Sequence, residues 1–290
     1  MIRSFRHLSG TALALFAILA GTGLARGTAP AAQLDASAEE VDLELVLATD
    51  VSYSVDFEEA KLQRIGYIEA IQHPSVIAAI QSGVLGRIVV TYVEWADEDY
   101  QNQLIGWTVI SDRPTAQAFA AKLSEAPIRT QLYTAIGSAL VYCAGLIEAN
   151  AFEGLRKVID ISGDGTNNEG RWLYQARAAV LAQGITINGL PILNDRPQPG
   201  GLATPRQMKL DEYFKDEVIG GPGAFIVAAE GFSDFRAAIL SKMIREIAHA
   251  PATPRQPART AHSQASQERR PAPDLNTAKF LPADNLLSEN

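Results

Sequence analysis

The stretch "LELVLATDVSYSVDFEEA", residues 43–60, decides the fold. Its opening run, "LELVLAT", is nearly all apolar and reads as a strand buried on both faces, while the residues from 55 onward carry the spacing of an amphipathic helix reaching to 72. Asp50, Ser52 and Ser54 stand at the junction, three side-chain oxygens at every second position. A strand that hands over directly to a helix is the opening unit of an α/β domain.

The rest of the chain repeats that alternation. "RIVVTYVEW" (87–95), "QLIGWTVI" (103–110), "RKVIDIS" (156–162), "GITINGLPI" (184–192) and "AFIVAA" (224–229) read as further strands, with helices expected over 113–124, 133–149, 169–183, 205–217 and 232–248. Only residues 96–102 separate the second and third strands, too few for a parallel crossover, so these two form an antiparallel hairpin at one edge. The expected fold is α/β: a doubly wound, mostly parallel six-stranded sheet with one antiparallel edge strand and helices on both faces. In such sheets ligands collect beyond the carboxyl ends of the strands, where Asp50 falls.

Two other loops point to the same edge. "SGDGTNNEG" (162–170) follows the fourth strand and places Asp164 beside a glycine, and "RTQLYTAIGSAL" (129–140) offers Thr130 and Thr134 just ahead of a helix. Carboxylates and hydroxyls converging from three loops make an all-oxygen site, the preference of a hard divalent cation: Mg2+, with Mn2+ or Ca2+ as alternatives. For the first loop alone, helix capping explains the residues equally well, with Ser52 or Ser54 as N-cap and Asp50 as a turn residue.

Asp50-x-Ser52-x-Ser54, Thr134 ahead of a helix, and Asp164-Gly165 after a strand together resemble the metal-ion-dependent adhesion site of von Willebrand factor A domains. Within that superfamily "DVSYSVD" and "VIDISGDGTNN" are most similar to a group of exported bacterial proteins whose function is unassigned, and the likeness covers roughly residues 41–248. The resemblance implies that Ser52, Ser54 and Thr134 bind the metal, that Asp50 and Asp164 bind it directly or through water, and that a protein partner completes the coordination with a Glu or Asp. Binding without a catalytic step is the function it implies.

Other chemistries fit the residues less well. Asp160-x-Ser162-x-Asp164-Gly165 opens like a helix-loop-helix calcium loop, but Arg171 stands where that loop needs a Glu and a strand stands where it needs a helix. A hydrolase with Ser52, Ser54 or Ser162 as nucleophile lacks a base, since His73 and His249 both read as helix-end residues. A metal-dependent hydrolase using the same cation is the stronger rival, with Glu94, Asp97, Glu98 or Asp99 of the acidic hairpin run as base; as a solvated turn, that run would instead discourage edge pairing. "IGGPGA" (219–224) lacks the Lys of a phosphate loop and reads as a turn. Among the tryptophans, Trp172, close to the Asp164 loop, is the one that could serve a surface.

Asp160 is unusual inside a buried strand and needs a partner or a neutralising proton. Either it supports the site from behind or it marks a place that water reaches.

The chain ends set the context. Arg3 and Arg6 precede a short apolar core with small residues before position 26, so residues 1–25 read as an export signal, 26–40 as a flexible leader, 41–248 as the domain and 249–290 as a disordered Pro-rich tail. Cys143, the single cysteine, has no disulfide partner, and a periplasmic or secreted location without membrane insertion is expected. Of 25 basic and 33 acidic residues, the first 26 positions hold three basic ones and 250–290 hold five basic and four acidic, which leaves the body 17 and 29, net −12. Nucleic acid is a poor partner for such a surface.

Overall fold

The computed structural model describes residues 38–193 and 209–248. The export signal, most of the leader and the tail lie outside those residues. So does His249.

The elements run in chain order β1 (Glu39–Val41), β2 (Glu44–Asp50), α1 (Phe57–Ile71), α2 (Pro74–Gln81), β3 (Ile88–Trp95), β4 (Gln101–Ile110), α3 (Arg113–Glu125), α4 (Ile136–Glu148), β5 (Phe152–Gly154), β6 (Lys157–Gly163), α5 (Leu173–Ala182), β7 (Thr186–Pro191), α6 (Leu210–Tyr213), which a π-helical turn continues over Phe214–Val218, and α7 (Phe235–Ala248). The main sheet has the order β4-β3-β2-β6-β7, and the short β1 and β5 pair separately. β2 lies parallel between β3 and β6, and β4 runs antiparallel to β3 at the edge, as the short connection predicts.

Register brings the functional ends together: Asp50 pairs with Trp95 and Thr49 with Ser162, while Gly163 pairs with Pro191 on β7. Alternation along β2 divides its side chains between two cores. Leu43, Leu45 and Leu47 pack with α1, α2, α3 and α7 on one face, where Tyr67, Phe119 and Phe235 are the large buried members. Val46 and Ala48 pack on the other with α4, α5 and the π-helical turn, together with Cys143 and Trp95. All seven residues of β2 are buried, which is why the strand reads as one apolar run.

Three expectations are corrected. The main sheet has five strands, not six: "AFIVAA" approaches β7 only through the isolated bridges Gly189–Ile226 and Ile192–Ala229. Backbone hydrogen bonds form at both bridges, but the Asn188 side chain takes the Phe225 amide at 3.0 Å, after a turn with positive φ at Gly221 and Gly223, and the pairing remains two separate bridges. His73 does not end a helix but starts one; its Nδ1 accepts the Ser75 amide at 3.2 Å as the N-cap of α2, which Pro74 opens. The helix expected over 205–217 is, within the described residues, α6 and its π-helical continuation.

Candidate metal centre

The capping explanation of the first loop fails on the structure. α1 is capped by Asp56, which accepts the Glu59 amide at 2.9 Å while the Glu59 side chain returns to the Asp56 amide at 2.9 Å, a complete capping box. Ser52 and Ser54 are left for another task. The chain turns back between them, with the Val55 amide on the Ser52 carbonyl, and the Ser52 amide donates to Asp50 Oδ1 at 2.8 Å.

Their hydroxyls face one another at 3.1 Å, and Ser54 Oγ donates to Asp164 Oδ1 at 2.5 Å. Hydrogen bonds thus join Asp50, Ser52, Ser54 and Asp164 into one cluster, closed at the back by the ends of β2 and β6. Asp50, Ser52 and Asp164 are almost entirely buried, and Ser54 is half-buried. Asp50 Oδ2 makes no hydrogen bond of normal geometry, although the Asp164 backbone amide, like Ser52, favours the charged form of this carboxyl. Gly163 is required behind it, because a Cβ there would lie 2.9 Å from that oxygen and 3.4 Å from the Trp95 ring.

A buried carboxylate with one oxygen poorly matched is expensive. Burial, and then the nearby Asp164 carboxylate, push the Asp50 carboxyl up to about 8, against the hydrogen bonds from Ser52 that favour its charged form. Two carboxylates in a dry cleft repel until a proton or a cation comes between them, and the two hydroxyls beside them add neutral oxygens. The donor set is therefore what a hard divalent ion fits. Among the described residues no three His, Cys, Asp or Glu side chains gather, so a cation here depends on the hydroxyls.

Thr134 is buried on the adjoining loop and enters by a different route. Its amide donates to Asn168 Oδ1 and its carbonyl accepts the Asn168 amide, both at 2.9 Å, which locks its loop to the one bearing Asp164. Neighbouring bonds complete the frame: Gln131 amide to the Val51 carbonyl, and Asn167 Oδ1 accepting the Gly137 amide at the start of α4. Asp97 Oδ1 holds the amides of Leu132 and Tyr133. Sequence reasoning missed these framing roles of Asp97, Asn167 and Asn168. The adjacent Asn-Asn pair was their one visible signal, since such side chains commonly bond nearby backbone.

Other named residues lie elsewhere. Glu94 is not in the hairpin turn but inside β3, buried and hydrogen-bonded to Arg64. Ser162 is buried under the sheet edge against Tyr67, whose hydroxyl it meets at 3.2 Å. Asp160 is dry and ion-paired with the equally buried Lys242 of α7, so water does not reach it.

Comparison with known proteins bears on the family and the fold. The profile of the family described as "Protein of unknown function (DUF1194)" matches residues 40–251. No curated protein matches the chain. Among solved structures, the pilus adhesin SpaC from Lactobacillus rhamnosus GG is 15% identical over 73% of this chain and 31% of its own, with a TM-score of 0.50. Proximal thread matrix protein 1 from the mussel byssus is 14% identical over 73% and 47%, at 0.49, and a von Willebrand factor type A protein from Catenulispora acidiphila is 14% identical over 73% and 43%, at 0.46. The chain spans less than half the length of each of these three. The fold, α/β with a mostly parallel central sheet between helices, is von Willebrand factor A-like.

Proposed function

The chain belongs to the family described as protein of unknown function (DUF1194), and from that premise we propose that it is an exported, non-catalytic binding protein of the cell envelope that holds a divalent cation and through it grips an acidic residue of a protein partner. One observation carries the reading. Asp50 Oδ2 is buried without a hydrogen bond of normal geometry beside the linked oxygens of Ser52, Ser54 and Asp164.

In this reading Asp50, Ser52, Ser54, Thr134 and Asp164 hold the ion, Mg2+ before Mn2+ or Ca2+. When bound, the ion supplies Lewis acidity toward a carboxylate oxygen of the partner. The chain's own residues position it: the Ser52 amide orients Asp50, Ser54 orients Asp164, and Asn168 fixes Thr134. A hydrolytic use of the same ion finds less support, because Glu94 is committed to Arg64 and Asp97 to two backbone amides, which leaves only the exposed Glu98 and Asp99 as candidate bases.

Calorimetric titration of Mg2+, Mn2+ and Ca2+ into the protein and its Asp50→Ala variant, with thermal melts of both, tests the proposal. Binding that disappears in a variant still melting cooperatively supports it. A wild-type protein that binds none of the three overturns it.

A further inference from the structure

The described residues expose nine large hydrophobic side chains, and six of them stand at one end of the molecule. Tyr53 lies on the loop between β2 and α1 and Phe57 at the first position of α1, Leu132 and Tyr133 on the loop before α4, and Trp172 and Tyr174 where the Asp164 loop enters α5. These are the same three loops that carry the oxygen cluster. Single exposed apolar residues need no explanation, but a set gathered around one site does.

Local structure does not account for them. Trp172 occupies the N-cap of α5, where a short polar side chain is favoured, makes no side-chain cap bond there, and is 79% exposed. Leu132 and Tyr133 are equally unforced. Their amides are pinned by Asp97, so the backbone is held while both side chains remain exposed. A loop fixed in this way presents its apolar groups at low ordering cost when something docks on it.

We infer that these six side chains form an apolar collar around the cation site, and that the partner is a protein segment whose Glu or Asp is embedded among aliphatic and aromatic residues and flanked by basic ones. This rests on the cation-binding reading above and names the occupant it leaves open. Tyr, Trp and Phe are the residues that dominate the energetic centres of protein interfaces. Phe57 and Leu132 offer no polar edge for the hydroxyls of a sugar, which favours a protein occupant. The outer charge selects basic flanks, since the exposed Asp56, Glu58, Glu98 and Asp99 outnumber Arg129, Arg171 and Lys61, the last of which pairs with Glu58.

Selection of a displayed random peptide library on the full chain in Mg2+ tests the inference, beside the Tyr133→Ser/Trp172→Ser double variant and Asp164→Ala. Enriched peptides are expected to share one acidic residue next to apolar ones with Lys or Arg beyond. Their binding should vanish in EDTA and in Asp164→Ala, and weaken about tenfold or more in the double variant, whose calorimetric Mg2+ affinity stays at the wild-type value. Peptides without apolar residues, equal binding by the double variant, no enrichment at all, or glycan-array binding lost with Trp172 would each overturn the collar while leaving cation binding intact. Failure of the wild-type protein to bind Mg2+ would instead overturn the reading beneath it.

Discussion

Ser54 Oγ reaches Asp164 Oδ1 across 2.5 Å, joining two loops whose residues stand 110 positions apart in the chain. The bond holds a second carboxylate near Asp50, and that proximity helps to push the Asp50 carboxyl up. Asp164→Asn keeps an acceptor for Ser54 and removes the charge. The metal-free variant is therefore expected to gain stability, on the order of 1 kcal/mol, as happens when a functional site's repulsion is relieved, and to lose cation affinity at the same time. Chemical denaturation in EDTA and calorimetry in Mg2+ check the two halves; a destabilised apo variant would contradict the repulsion.

Gly163 lets the end of β6 close on Asp50. In Gly163→Ala the new methyl group meets Asp50 Oδ2 at 2.9 Å and Trp95 at 3.4 Å, so the carboxylate must shift. The expected cost is about 1–3 kcal/mol of stability, typical of overpacking, with cation affinity falling much further than the melting temperature alone would suggest. Comparing both quantities with those of a Gly106→Ala control, which has open space at its Cβ, isolates the effect.

Asp56 separates helix capping from ion binding. Because it closes the capping box of α1, Asp56→Ala should cost about 1 kcal/mol, while calorimetric Mg2+ affinity remains close to wild type. Ser54→Ala removes the donor to the buried Asp164 and should also cost about 1 kcal/mol, but unlike Asp56→Ala it should weaken the ion strongly. If Asp56→Ala abolished binding, the division of labour between the two residues would be wrong.

Much of this was legible in the sequence, for identifiable reasons. β2 and β6 are buried on both faces, so their runs are mostly apolar, with Asp160 interrupting that of β6, and the short link before β4 forced the antiparallel edge. Asp50, Ser52, Ser54 and Asp164 could be picked out because each sits at a strand end, and parallel pairing delivers those ends to one place. What failed was local. "AFIVAA" has strand composition, yet the Asn188 side chain takes the amide of its second residue, Phe225, a tertiary event no pattern announces. α2 is only eight residues long and follows the end of α1 within two residues, so its periodicity merges with its neighbour's. Lys242 and Glu246 of α7 turn inward to meet Asp160, an arrangement the expected helix over 232–248 does not announce.

That buried cluster gives the last prediction. Lys242 stands between Asp160 and Glu246, all three almost fully buried, and Asn188 donates to Glu246 Oε1 at 3.2 Å. Removing the cation in Lys242→Met leaves two carboxyls facing each other in a dry core and should cost about 3–5 kcal/mol. Burial, and then the Asp160 charge, raise the Glu246 carboxyl from 4.5 to about 8 in the folded protein. The folded state thus keeps a proton that the unfolded chain releases above 4.5, and the associated stability, complete below that pH, is lost as pH climbs toward 8. Asp50 adds a slope of the same sign in the metal-free protein, so the informative quantity is a difference. Urea denaturation of wild type and Glu246→Gln across this window should show the wild type losing stability more steeply with rising pH. Parallel slopes would mean that Glu246 is already ionised in the folded core, with Lys242 as its full counter-charge.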